Sequence, residues 1–238
     1  MNVFPSIHMV FDFLAVVLSI AAGWIVYRWR FQSALEETAA SIDHRYFLFL
    51  SFGSIVGSFL FGTLNLYLSG LPQIGRSILG ALCGATFTVE LYKHFKGVKN
   101  STGYIYIVPF CICIAVGRIG CLLSGLSDNT YGIATDLPWG WDFGDHISRH
   151  PVPLYESLSM LLFLAATIAA LAYRKDLVIA YGYYWCVGFY ALQRMAWEFL
   201  KPYHAVIGGL NLFQILCLFL MVYSIVMIGK VRNARRIA

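Results

Sequence analysis

The sequence predicts an all-α, polytopic integral membrane protein of about seven transmembrane helices, with its N-terminus outside and its C-terminus cytoplasmic. Three observations predict it. Hydrophobic residues fill 59% of the 238 positions and charged residues 12%, with a mean hydropathy of +0.70. That is too little charge to cover a soluble domain of this size. The apolar residues gather in runs of about 20, the length that crosses a hydrocarbon core about 30 Å thick. The basic residues alternate between connections: of 17, twelve lie in every second loop and the tail, three on the opposite side and two within helices. An even number of spans would mix the two sets, so the bias of Lys and Arg toward cytoplasmic loops fixes span parity and orientation. Dispersed in this way, the net charge of +5 reports orientation and excludes nucleic acid as a partner.

The apolar stretches run at about 8–27, 46–68, 74–92, 104–124, 154–173, 180–199 and 210–228. No Lys or Arg precedes the first, so the positive start of a signal peptide is missing and this helix is expected to be retained. Arg28, Arg30 and Arg45 follow it. The second and third stretches carry Gly53-x-x-x-Gly57 and Gly80-x-x-x-Gly84, small-residue faces that let two helix backbones approach. Lys93, Lys96 and Lys99 come next. The fourth ends in Gly117-Arg118-Ile119-Gly120 and opens on the longest outward segment, about 125–153. Its Asp, Gly, Trp and Pro content suits an ordered interfacial loop, with Trp139, Trp141 and Phe143 at headgroup depth. Pro151 and Pro153 favour a helix start for the fifth stretch, and Arg174 and Lys175 follow it. The sixth contains Tyr190, Arg194 and Glu198, and the seventh leads into a tail with Lys230, Arg232, Arg235 and Arg236. With no repeat and no dividing linker, residues 1–238 read as a single transmembrane helical domain that satisfies its backbone internally. Cys83, Cys111, Cys113, Cys121, Cys186 and Cys217 all fall in apolar runs and read as small apolar packers. Cys111-x-Cys113 lacks metal-ligand spacing, and no metal site is expected.

Charge inside the apolar runs carries the functional signal. An arginine at bilayer depth costs about 2.5–3.5 kcal/mol on insertion scales unless something compensates it. Gly117, Gly120, Ser124 and Gly125 leave room around Arg118 for a bulky anion, and a guanidinium grips phosphate with two parallel hydrogen bonds. Snorkelling to the interface is the plainer reading. Tyr190, Arg194 and Glu198 recur at i, i+4 and share one helix face, where Arg194 and Glu198 can also simply neutralise each other. In Arg149-His150-Pro151-Val152-Pro153-Leu154-Tyr155-Glu156, Glu156 either caps the helix start or faces a site. A helix start beside Arg149 and His150 suits a phosphate, and His150 is the best-placed group for proton transfer near neutral pH. His8, His94 and His204 lack comparable company and read as interfacial bystanders.

Four motifs in order form a recognisable series: Gly117-Arg118-Ile119-Gly120, Pro138-Trp139-Gly140, Arg149-His150-Pro151-x-x-Leu154-Tyr155-Glu156 and Arg194-x-x-x-Glu198-Phe199. This series resembles the bacterial prolipoprotein diacylglyceryl transferases from the second helix to the chain's end. The resemblance implies an enzyme of the bacterial cytoplasmic (inner) membrane that moves the diacylglyceryl group of phosphatidylglycerol to the lipobox cysteine thiol of a prolipoprotein. It also implies that Arg118 and Arg194 match two arginines that hold the lipid headgroup, and that Tyr190 matches a tyrosine of that site. Departures accompany it. Where the family continues with Asn and then Asn-x-Glu, this chain has Cys121, Ser124 and Leu126. A His-Gly-Gly motif becomes Leu79-Gly80-Ala81, an arginine on the second helix becomes Phe59, and a Tyr-Gly pair becomes Phe11-Asp12.

In the implied scheme Arg118 and Arg194 bind the phosphate and stabilise its departing charge. His150 accepts the thiol proton, Glu156 and Glu198 orient the arginines, and Arg149 and Tyr190 contribute to substrate binding; no cofactor is needed. Residue chemistry leaves two other readings open. One is a relative that binds lipid but uses another acceptor or catalyses nothing, favoured by the missing histidine and asparagines. The other is a small-anion transporter, which buried arginines also suit.

Overall fold

The computed structural model describes residues 7–237, so the leading residues on which the retained-start and N-terminal readings partly rest lie outside the described part. Eight helices run through it: α1 (Ile7–Val26), α2 (Gln32–Ser41), α3 (His44–Leu68), α4 (Ile78–Lys96), α5 (Ile107–Ser124), α6 (Val152–Tyr173), α7 (Lys175–Glu198) and α8 (Leu212–Ile237). Each predicted apolar stretch coincides with one helix. The helical stretches Ile7–Ser41, His44–Leu68, Tyr104–Asp128, Val152–Tyr173 and Leu212–Arg236 are long and apolar enough to cross a membrane. Helices α4 and α7 fall outside that set because polar and aromatic residues (Thr86, Glu90 and Lys93; Tyr183, Gln193 and Arg194) interrupt their apolar content. The protein is therefore an all-α integral membrane protein. Large apolar side chains stand exposed along the spanning helices, among them Phe13, Phe52, Leu162 and Phe219. Such faces are stable only against lipid or a partner.

The chain forms two compact units. The first comprises residues up to Gln32 and Gly103–Pro202. Helix α1 packs on α5, α5 on α6 and α6 on α7. Small residues make the close approaches: a Cβ on Gly120 would lie 2.6 Å from Phe11 Cβ, and one on Gly23 2.9 Å from Pro109. Hydroxyls tie the helices together, with Ser19 donating to the Pro109 carbonyl at 2.9 Å and Ser157 to that of Ala115 at 2.8 Å. In an apolar surround such bonds align neighbouring helices. A π-helical turn, Tyr27–Phe31, follows α1; within it Arg30 donates to the Ala172 carbonyl in the last turn of α6, satisfying an acceptor that a helix end leaves open.

The segment after α5 is ordered, as its composition predicts. A 3₁₀ turn, Gly125–Asp128, leads to a short antiparallel pair, β1 (Trp141–Asp142) and β2 (Ser148–Arg149). Asp142 Oδ1 accepts from the amides of Gly144 and His146, which closes the turn between the strands. The Ile133 amide bonds the Leu200 carbonyl at 2.7 Å, fastening the segment beside the end of α7. Trp139 is exposed, but Phe143 is 1% exposed and faces Tyr131. Phe143 is thus the small core of this segment, because a loop of this length needs its own apolar centre.

The second unit comprises Ser33–Thr102 and the residues from Tyr203 onward. Helices α3 and α4 form its seam. A Cβ on Gly53 would lie 2.4 Å from the Gly84 carbonyl oxygen, and one on Gly57 2.3 Å from that of Gly80. The two Gly-x-x-x-Gly faces therefore meet each other. Helix α8 begins with a reciprocal cap: the Gln214 amide donates to Asn211 Oδ1 and the Asn211 amide to Gln214 Oε1, both at 2.9 Å. Tyr223 on α8 donates to Glu90 on α4, which also receives Lys93.

Candidate active site

The first unit gathers five charged side chains from three helices. Arg118 comes from α5, Glu156 from the second turn of α6, Arg194 and Glu198 from successive turns of α7, and Lys201 from the turn beyond it. Glu156 sits at the centre and is fully buried. Its Oε1 accepts from Arg194 Nη1 and, at 2.8 Å, from Lys201 Nζ. Its Oε2 lies 2.5 Å from Arg118 Nε, a charge contact whose N–H is not aligned as a hydrogen bond. Arg194 Nη2 reaches Glu198 Oε2 at 2.8 Å, and Lys201 Nζ stands 3.9 Å from the same oxygen. Three cations face two carboxylates, which leaves one positive charge in excess. Burying charge this deeply is costly unless every group is paired, and an excess cation calls for an anion.

The predicted residues fall into two groups. Arg118, Arg194, Glu156 and Glu198 converge as expected, and Tyr190 lies one turn before Arg194 on the same helix, fully buried and edge-on to Phe110. Glu156 is not a cap: it begins no helix turn and binds three cations. Arg149 and His150 stand elsewhere. Arg149 on β2 bonds Asp145 at 2.7 Å and lies over the Tyr131 ring. That bond holds the Asp145 carboxyl below its usual range. His150 Nδ1 is 3.4 Å from Tyr155 Oη, which accepts from Trp139 Nε1 at 2.9 Å, while Trp197 packs on the Tyr155 ring. These residues form an aromatic layer at the helix start. Of the small residues expected to open space at Arg118, Gly117 has nothing within 4 Å of a Cβ placed there, while Gly120 is filled by Phe11.

Three side chains escaped the sequence reading. Lys201, just beyond the sixth apolar stretch, is buried, and burial together with the neighbouring Arg194 lowers its pKa to about 8. Its spacing of three residues from Glu198 was the available signal. Gln193 is buried with neither amide atom hydrogen-bonded among the described residues. Third is His8, which is no bystander: its Nε2 is 2.9 Å from Asp128 Oδ1 and 3.6 Å from Cys121 Sγ, and its Nδ1 is 3.1 Å from Asp12 Oδ2. Cys121 correspondingly is not mere packing, since Arg118 Nη1 also lies 3.8 Å from its sulfur.

Comparison with known proteins adds the family. The model of the family described as "Prolipoprotein diacylglyceryl transferase" matches residues 9–229, nearly the whole chain. This chain belongs to the prolipoprotein diacylglyceryl transferase family. Among curated relatives, the phosphatidylglycerol–prolipoprotein diacylglyceryl transferase of Methylococcus capsulatus is 29% identical over 94% of this chain and 91% of its own. The proteins of the same name from Geobacter sulfurreducens and Solidesulfovibrio magneticus are each 28% identical, covering 79% and 91% of this chain and 76% and 88% of theirs. No solved structure matches. The arginine–glutamate cluster is thus embedded in a diacylglyceryl transferase scaffold.

Proposed function

We propose that this protein transfers the diacylglyceryl group of phosphatidylglycerol to the lipobox cysteine thiol of a prolipoprotein, in the bacterial cytoplasmic membrane. The observation that carries the site is the buried cluster with one excess positive charge, all within an apolar bundle. A phosphodiester headgroup carries one negative charge and complements that excess. Arg118, whose Nε edge faces Glu156, would hold the phosphate by its terminal Nη groups. Arg194, fixed between Glu156 and Glu198, would supply the second guanidinium, with Tyr190 one turn away on the same helix. The thiol sulfur attacks the glycerol C3 carbon, a C–S bond forms and the C–O bond to phosphate breaks. Glycerol phosphate leaves with the electron pair, its added charge stabilised by both arginines. His150 is the proposed acceptor of the thiol proton.

All seven long helices would cross the membrane in this reading, with the C-terminus cytoplasmic. Support comes from the partition of Lys and Arg between alternate connections. The test of function is direct. Purified protein with labelled phosphatidylglycerol and a lipobox cysteine peptide should yield a peptide heavier by one diacylglyceryl group, together with glycerol phosphate. Arg118→Ala and Arg194→Ala should each lower transfer by at least about 100-fold while membrane insertion is unchanged. Full activity in Arg118→Ala would remove the phosphate-binding role.

A further inference from the structure

His8, Cys121 and Asp128 bring three donor atoms within 4.8 Å of one another. His8 comes from the first turn of α1, Cys121 from the last turn of α5 and Asp128 from the 3₁₀ turn that follows it. We propose that these three side chains bind a divalent cation of the zinc class, leaving a fourth position open for the acceptor thiol. The second half of this proposal rests on the transferase reading; the first half does not.

Geometry singles out a cation. Asp128 Oδ1 at 2.9 Å and Cys121 Sγ at 3.6 Å both address the same nitrogen, Nε2 of His8. The Nε2 hydrogen and the Cys121 thiol hydrogen link these groups only in pairs, whereas a metal ion placed among the three meets all of the donor atoms at once. Bonds of about 2.0 Å to nitrogen and oxygen and about 2.3 Å to sulfur hold tetrahedral donors about 3.3–3.6 Å apart. The two separations from His8 Nε2, 2.9 and 3.6 Å, are within a few tenths of an ångström of that, and all three donor atoms lie within 4.8 Å of one another. Supporting contacts have the pattern of a metal centre. Asp12 Oδ2 lies 3.1 Å from His8 Nδ1, which fixes the tautomer and presents Nε2 outward. Thr130 donates to Asp128 Oδ2 at 2.7 Å, leaving Oδ1 to bind. Arg118 points Nη1 at the Cys121 sulfur at 3.8 Å. The ion's two charges are balanced by one thiolate and one carboxylate.

Three protein donors and an open place are the arrangement of a reactive metal site, not a structural one. A thiol that coordinates there is deprotonated. Its proton is released to solvent, and the sulfur's lone pair remains available to attack the glycerol carbon. The site touches Arg118, so the thiolate is delivered beside the phosphate-binding arginine.

Cobalt(II) titration of the chelator-stripped, purified full-length protein tests the proposal. We expect one equivalent to bind with the visible bands of a tetrahedral site and a near-ultraviolet thiolate-to-cobalt band. Cys121→Ser should remove the latter band, and His8→Ala should weaken binding at least about tenfold, while Cys113→Ser should change neither. Adding a lipobox cysteine peptide should shift the bands, and the matching serine peptide should not. Absence of stoichiometric cobalt in the native protein, or a thiolate band that survives Cys121→Ser, overturns the metal site. Bands indifferent to the cysteine peptide overturn the open position. Because these readouts need no lipid transfer, loss of the transferase reading would leave the metal result standing and be visible separately.

Discussion

At Glu156 one carboxylate serves three cations, so its loss is the most damaging single change. Glu156→Gln would leave Arg118, Arg194 and Lys201 against Glu198 alone, and breaking such buried pairs costs about 3–5 kcal/mol. Thermal unfolding in detergent should show that loss, with transfer abolished. Lys201 gives the site a pH dependence. Its pKa falls from 10.5 to about 8 because burial and Arg194 disfavour its charge. As pH rises through about 8 the cluster loses its excess positive charge, so kcat/KM for the lipid should decline with a one-proton slope. Lys201→Arg, which keeps its charge to much higher pH, should carry the plateau beyond that point. Stability should move the other way. Between about pH 8 and 10.5 the unfolded lysine holds a proton that the folded one has released, so this residue's contribution to stability rises with pH across that window. A decline in kcat/KM unchanged by Lys201→Arg would assign the pH effect to another group.

Among the elements, the α3–α4 seam depends on the absence of side chains at four glycines. A Cβ on Gly84 would stand 2.0 Å from the Gly53 carbonyl oxygen, so Gly84→Ala must push two backbones apart. We expect a loss of about 1–3 kcal/mol, the usual cost of overpacking, read as a lower midpoint of thermal unfolding; Gly117→Ala, in open space, should be near neutral. These seams were legible because small residues four apart define a helix face whatever lies opposite. The interior of the segment after α5 was not. Trp139, Trp141 and Phe143 look alike as aromatic residues in a polar loop, and only the β1–β2 pairing turns Phe143 inward.

For the whole molecule, orientation is the accessible test. A fluorescent protein fused after Ala238 should fold and fluoresce in the cytoplasm, while a phosphatase that needs oxidation outside should stay inactive at the same position. The reverse pattern would invert the proposed topology. What the sequence determined by itself was the class of molecule: apolar run length is set by bilayer thickness, and basic loops by insertion, so both can be read without any tertiary contact. It also yielded Arg118, Arg194, Glu156 and Glu198, because a charge in an apolar run is conspicuous wherever it points. Tertiary structure alone decided which groups share a charge. Lys201 and His8 sit at the ends of apolar stretches, where a charged or polar residue is ordinary, and nothing local distinguishes a buried one from a solvated one. Packing of α5, α6 and α7 draws Lys201 onto Glu156, and packing of α1 on α5 sets His8 against Cys121 and Asp128. Such meetings join residues far apart in the chain, and long-range contact leaves no periodicity in sequence for a reader to find.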